Sequence, residues 1–246
     1  MSPQPTVHPP VAVAFCPHPP SLLPGLEGAA DAATVASRSA CDEAVATVLS
    51  CDPDVVLVVG EGPPGVRYGT GDAADLRPWG IEGRLPFSGG VRPRGRSVPL
   101  AHAVGACLLD RAGHTGTRLG VAPGDLVDAL GDLPGPVAVL AMGHGAGERG
   151  EVAPAYREPA AERYDTALAA ALAAGDPVAL AALDPEEGAR LDATGTTTWR
   201  AVGRVLTGHP VTARLLHDGV SGHPGHPVAD WVVARVPDRV PVWMSR

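Results

Sequence analysis

Residues 11–16, VAVAFC, form an unbroken apolar run bounded by prolines, and 54–60, DVVLVVG, form a second, mostly β-branched one. Apolar runs without polar alternation are typical of strands covered on both faces, as parallel sheets are. RLGVA (118–122) and PVAVLAMG (136–143) read the same way. Between them the apolar positions take helical spacing. Residues 27–50 carry an inner face of Ala33, Val35, Ala40, Ala44, Val45, Val48 and Leu49, and Asp52-Pro53 stops that helix. Ser97-Val98-Pro99 opens a helix to about Ala112, and a short one is expected near 124–131.

The stretch 61–97 is rich in Gly, Pro and Arg and reads as an excursion with one short strand near 81–87. After a loop over 144–158, helices are predicted at 159–174, 177–183, 185–192 and 198–207. VTARLLH (211–217) and VADWVVARV (228–236) then form a closing strand pair. Strands alternating with helices predict an α/β fold of three layers: a mostly parallel central sheet flanked by helices, with an antiparallel edge from the last pair. There is no dividing linker and no solenoid-period repeat, so a single domain over 1–246 is expected, with 1–10 flexible.

Composition narrows the chemistry. Nineteen Lys+Arg against 27 Asp+Glu leave a net charge of −8, which disfavours nucleic acid and anionic membranes as partners. All the Lys+Arg are arginine: lysine is absent, and so is asparagine. That removes Walker-type phosphate lysines, Schiff-base and pyridoxal-phosphate lysines, and N-glycosylation. The four cysteines, Cys16, Cys41, Cys51 and Cys107, form no CxxC pair. Cys41 and Cys107 fall inside helical patterns, where a free thiol acts as a small hydrophobe. Without a signal-like segment or an 18-residue apolar window, a cytoplasmic location is expected.

In open α/β sheets ligands sit at the carboxyl ends of the strands, which selects three segments: Cys16-Pro17-His18-Pro19-Pro20, Gly60-Glu61-Gly62-Pro63-Pro64 and Gly143-His144-Gly145-Ala146-Gly147-Glu148. Imidazole and carboxylate suit iron or zinc, and histidine is the commonest general base. His18 is a metal-ligand candidate or a turn cap, Glu61 a ligand or a solvated carboxylate, and His144 a catalytic candidate with close backbone access through its glycines. His102, in a first helical turn, either lines a substrate pocket or packs in the core. His223-Pro-Gly-His226 has metal-like spacing but reads as a surface turn, and Asp218 ends the penultimate strand. Arg84, Arg92, Arg94 and Arg96 either clamp an anionic substrate or form a solvated loop.

Two motif matches fail on context. Gly60-Glu-Gly-Pro-Pro-Gly65 fits GxGxxG, but no helical stripe follows it. His144-Gly-Ala-Gly matches an esterase oxyanion segment, but the chain holds no GxSxG elbow.

The order of CPHPPSLLP, ACDEAV, DVVLVVGEGPP, VPLAHAVGACLLDRAG, VAVLAMGHGAG and AAERYDTALAAALAAGDPVALAALDP resembles the class III extradiol ring-cleavage dioxygenases, subunit-B-like proteins of the actinobacterial type, over roughly 11–236. The resemblance implies non-haem Fe(II) held by two histidines and a carboxylate, a further acid/base histidine, and a catechol-like aromatic substrate. His18 matches the first metal histidine. The second would stand where Glu61 and Gly62 are, so Glu61 is the substitute ligand. By count Gly147 takes the acid/base position with His144 three residues earlier, and Asp218 is nearest to the carboxylate ligand. A partner subunit or homo-oligomer also follows from the resemblance. Three readings stand: a dioxygenase-like enzyme binding Fe(II) or another divalent metal, a metal-free binding or scaffold protein of the same fold, and a metal-free hydrolase or lyase using His144 with Glu148 or Glu61.

Overall fold

The computed structural model describes residues 8–26, 32–146, 159–218 and 226–234. Its centre is a six-stranded sheet of order β5-β2-β6-β1-β8-β7. Strands β1 (Ala12–Cys16), β2 (Val55–Val59), β5 (Thr117–Val121) and β6 (Val137–Met142) run parallel. The closing pair, β7 (Val211–His217) and β8 (Val228–Val233), is antiparallel, as expected. β8 also pairs antiparallel with β1, so the pair joins the sheet through β8 and leaves β7 at the edge.

Side-chain alternation splits the core in two. Ala12, Ala14 and Cys16 of β1, with Val56 and Val58 of β2, face helices α1 (Ala32–Ser50) and α2 (Leu100–Arg111). Val13, Phe15, Leu57 and Val59 face α3 (Leu126–Asp132), α4 (Pro159–Ala174), α5 (Pro177–Ala182) and α7 (Thr196–Leu206). A short helix, α6 (Pro185–Arg190), precedes α7. Burial on both faces explains the uninterrupted apolar runs. The predicted three-layer α/β arrangement is present. Cys41 and Cys107 are buried and free.

The connections place the site. From β1 the chain leaves through α1 on one face toward β2. From the neighbouring β6 it leaves through α4 on the other face toward β7. Adjacent parallel strands whose connections diverge open a crevice at their carboxyl ends.

The excursion holds β3 (Ala73–Asp75) as well as the expected short strand, β4 (Arg84–Pro86), paired antiparallel. Three residues are too few for alternation to reveal β3 in sequence. No helix follows Gly60, in line with the rejected dinucleotide motif. Tyr68 exchanges both backbone hydrogen bonds with Gly120, 2.9 Å each, docking the excursion on the β5 edge. Among the described residues no helix is long and apolar enough to cross a membrane.

One buried charge ties the closing pair to the first helix. Asp230 on β8 is 1% exposed, and Arg214 lies directly opposite on β7. The guanidinium donates to both carboxylate oxygens at 3.0 and 2.5 Å and also reaches Glu43 and Thr47 of α1 at 2.8 Å each. Removing one partner of such a pair leaves a desolvated charge, so Arg214→Met is expected to destabilise by about 3 kcal/mol, read from urea denaturation.

Candidate functional site

The β1–β6 ladder continues one step beyond the strands: the Gly143 N–H donates to the Cys16 carbonyl at 3.0 Å. That rung sets His18 beside His144, with ring centroids 4.0 Å apart and planes tilted by 40°. The loop bearing His144 is held from two further sides. The Gly195 N–H donates to the His144 carbonyl at 2.9 Å, and the Ala146 N–H donates to the buried Asp165 carboxylate of α4 at 2.7 Å. A Cβ on Gly143 would stand 2.3 Å from the Gly195 Cα, so Gly143 is needed for that close approach.

A third imidazole comes from the closing pair. β7 ends and β8 begins at the same sheet edge where β1 ends, and His226, two residues before β8, lies 4.9 Å from the His144 ring. His226 is half-buried against His144, a contact that its reading as part of a surface turn did not anticipate; the rest of that turn lies outside the described residues. The usable signal was topological: an antiparallel pair returning to the β1 carboxyl edge delivers its joining segment there. His223, Gly147 and Glu148 lie outside the described residues.

Burial governs the electrostatics. Desolvation pushes His18 down to about 4, with His226 and His102 adding in the same direction. Desolvation and the neighbouring His18 take His144 to about 3, although a hydrogen bond to the His18 backbone acts the other way. Both rings are therefore neutral at physiological pH. The Nδ1 atoms of His18 and His144 are buried without a protein hydrogen-bond partner among the described residues. Buried polar atoms are rarely left so, and these two lie together at the switch point.

The other two candidates make no ring contact with this pair. His102 is 0% exposed; its Nε2 bonds the Val121 carbonyl at 3.1 Å, and Tyr68 and Phe87 flank its ring at 5.0 and 6.5 Å. It is placed as a packed core histidine, with burial lowering it to about 4 against the pull of Val121. Glu61 is exposed, and desolvation followed by the charge of Asp192 raises it. Asp218 is exposed at the end of β7.

Neutral imidazoles are the donor type that iron and zinc accept. The full two-histidine, one-carboxylate set is not assembled: among the described residues no group of three His, Cys, Asp or Glu is arranged to hold a metal ion. The described residues thus do not form the standard facial triad. What the arrangement offers is a pair of neutral, desolvated proton acceptors, with a third imidazole alongside. Asp165 and Gly195, which position His144, escaped the sequence reading because they carry out no chemistry of their own.

No protein-family model matches the sequence, and no curated protein matches it.

Histidines held below their unfolded value bind fewer protons in the folded chain than in the unfolded one, so stability falls as pH drops below 6.5. Between pH 6.5 and 5, before most carboxylates titrate, the urea midpoint is expected to decline, each histidine contributing at most about 1.4 kcal/mol per pH unit. His18→Gln should make that decline shallower.

Proposed function

We propose that the chain is a class III extradiol dioxygenase-like protein with a non-standard centre, acting on a small catechol-like or otherwise oxygenated molecule. The observation that carries the reading is the meeting of His18 and His144 at the switch point between β1 and β6, both neutral and each with an unpartnered buried nitrogen. The order of sequence segments and the α/β fold support it.

In this reading a hydroxyl-bearing ligand enters the crevice beside the histidine pair. An oxygen anion developing against His144 raises that ring's affinity for a proton, so burial, which otherwise suppresses protonation, favours the ion pair once it forms. His18, in ring contact, orients the ligand hydroxyl and holds His144 in place. His226 borders the same pair. Fe(II), or another divalent ion, belongs to the reading through the resemblance alone, which makes His18 a ligand; Glu61, the substitute ligand that the resemblance implies, is not grouped with it among the described residues. Because the standard triad is not assembled, no step is derived through the metal.

A metal-free binding protein of the same fold is the second reading, favoured by the glutamate that stands where the family's second metal histidine is expected.

Metal analysis of protein purified without chelator, joined to oxygen uptake on a panel of catechols, separates the two. The dioxygenase-like reading expects iron or another divalent metal approaching one per chain, lost in His18→Ala. It also expects oxygen uptake that His144→Ala lowers by about 10²- to 10⁴-fold. Protein that takes up no metal on reconstitution, consumes no oxygen and melts at the same temperature with EDTA overturns it in favour of the metal-free reading.

A further inference from the structure

The excursion builds a second site that the histidine cluster does not use. A cavity of about 560 Å³ opens between residues 67–72 and 92–96, beside Leu119 of β5. Its polar lining includes Arg67, Tyr68, Thr70, Arg92, Arg94 and Arg96, together with Asp72. The volume is that of an ordinary small-molecule pocket. Four guanidiniums around one cavity are unexpected in a chain of net charge −8.

The two arms are held by the fold rather than by the arginines. Asp72, 7% exposed, accepts from the Gly69 N–H at 3.0 Å and the Arg96 N–H at 2.7 Å, bridging the arms. The Arg92 N–H donates to the Gly71 carbonyl at 3.0 Å. A Cβ on Gly95 would lie 2.0 Å from that same carbonyl oxygen, so the arms meet at a glycine. Arg84, grouped with this cluster on sequence, turns away instead and donates to the Ala73 carbonyl. Arg67 takes its place at the cavity.

The charge balance sets the ligand. Arg67 pairs with Asp132 at 2.5 Å, and Arg96 stands 3.9 Å from Asp72. Arg92 and Arg94 have no carboxylate partner among the described residues. Two unneutralised guanidiniums suit a dianion. A carboxylate is planar and is satisfied by one guanidinium fork, whereas a phosphate presents oxygens in several directions and can engage the several forks that the 92–96 arm carries. We infer that this cavity is a binding site for a phosphate-bearing small molecule, its phosphate held by Arg92, Arg94 and Arg96, with the remainder of the ligand against the 67–72 arm. The site is independent of the reaction proposed at the histidines.

Isothermal titration calorimetry at matched ionic strength tests this, with inorganic phosphate, pyrophosphate and succinate as probes. The expected result is saturable binding of phosphate or pyrophosphate, tighter than succinate, weakened about tenfold or more in Arg92→Ala/Arg94→Ala. Arg94→Glu, a change at an exposed side chain, should weaken binding at least as much as loss of that one arginine while leaving the circular dichroism spectrum and melting temperature unchanged. Arg84→Ala and His18→Ala should bind as the unaltered protein does. No saturation up to about 10 mM of either phosphate probe overturns the inference. So does undiminished affinity in Arg94→Glu, or a loss in Arg84→Ala equal to that of the double variant.

Discussion

A single hydrogen bond beyond the end of two strands, from the Gly143 N–H to the Cys16 carbonyl, decides where the chemistry-bearing residues stand. β1 and β6 are neighbours in register from Ala12 opposite Ala138 to Cys16 opposite Met142. The extra rung carries that register into the loops, so that residues two positions past Cys16 and two past Met142 must lie side by side. His18 and His144 are those residues. Their contact is a consequence of sheet pairing, and it needs no motif linking them in sequence. The connections from the two strands leave on opposite faces, through α1 and α4, which is the arrangement that places a crevice at such strand ends.

Rigidity at the pair comes from small residues and backbone groups. Gly143 and Gly195 approach so closely that neither a methyl group nor a loop shift is accommodated without displacing backbone. The Gly195 N–H on the His144 carbonyl and the Asp165 carboxylate on the Ala146 N–H fasten the loop to α7 and α4. The rings are consequently presented to the crevice without hydrogen bonds to their Nδ1 atoms among the described residues. Holding neutral imidazoles in this desolvated state costs stability as acid is added and makes their protonation depend on an anion bound beside them. His102 also keeps a buried Nδ1 without a partner, but its Nε2 is tied to the Val121 carbonyl and its ring lies among Tyr68 and Phe87, so what sets the pair apart is its place at the strand ends.

Legibility in the sequence followed the range of the physics involved. The strands with unbroken apolar runs, at 11–16, 54–60 and 136–143, were readable because burial on both faces removes polar residues altogether. Strand-end position was equally readable, and it selected His18 and His144. Side-chain direction was not. Glu61 ends β2 as expected, yet it lies exposed, and the charge it feels is that of Asp192, a residue far along the chain. His226 was discounted because Gly and Pro around it signal a turn; that signal says nothing about which edge of the sheet the turn occupies. β3 owes its existence to pairing with β4 and not to any pattern of its own.

The arginine cavity shows the same division between composition and placement. A Gly/Pro/Arg-rich excursion has no hydrophobic pattern, so the sequence left open whether its cations are dispersed in solvent or gathered. What gathers them is again backbone: Tyr68 against Gly120, Asp72 across both arms, and Gly95 against Gly71. Tyr68 also stands 5.0 Å from the buried ring of His102. The two sites share no lining residue and differ in charge: a cationic cavity beside the β5 edge and a neutral imidazole cluster at the carboxyl ends of β1 and β6.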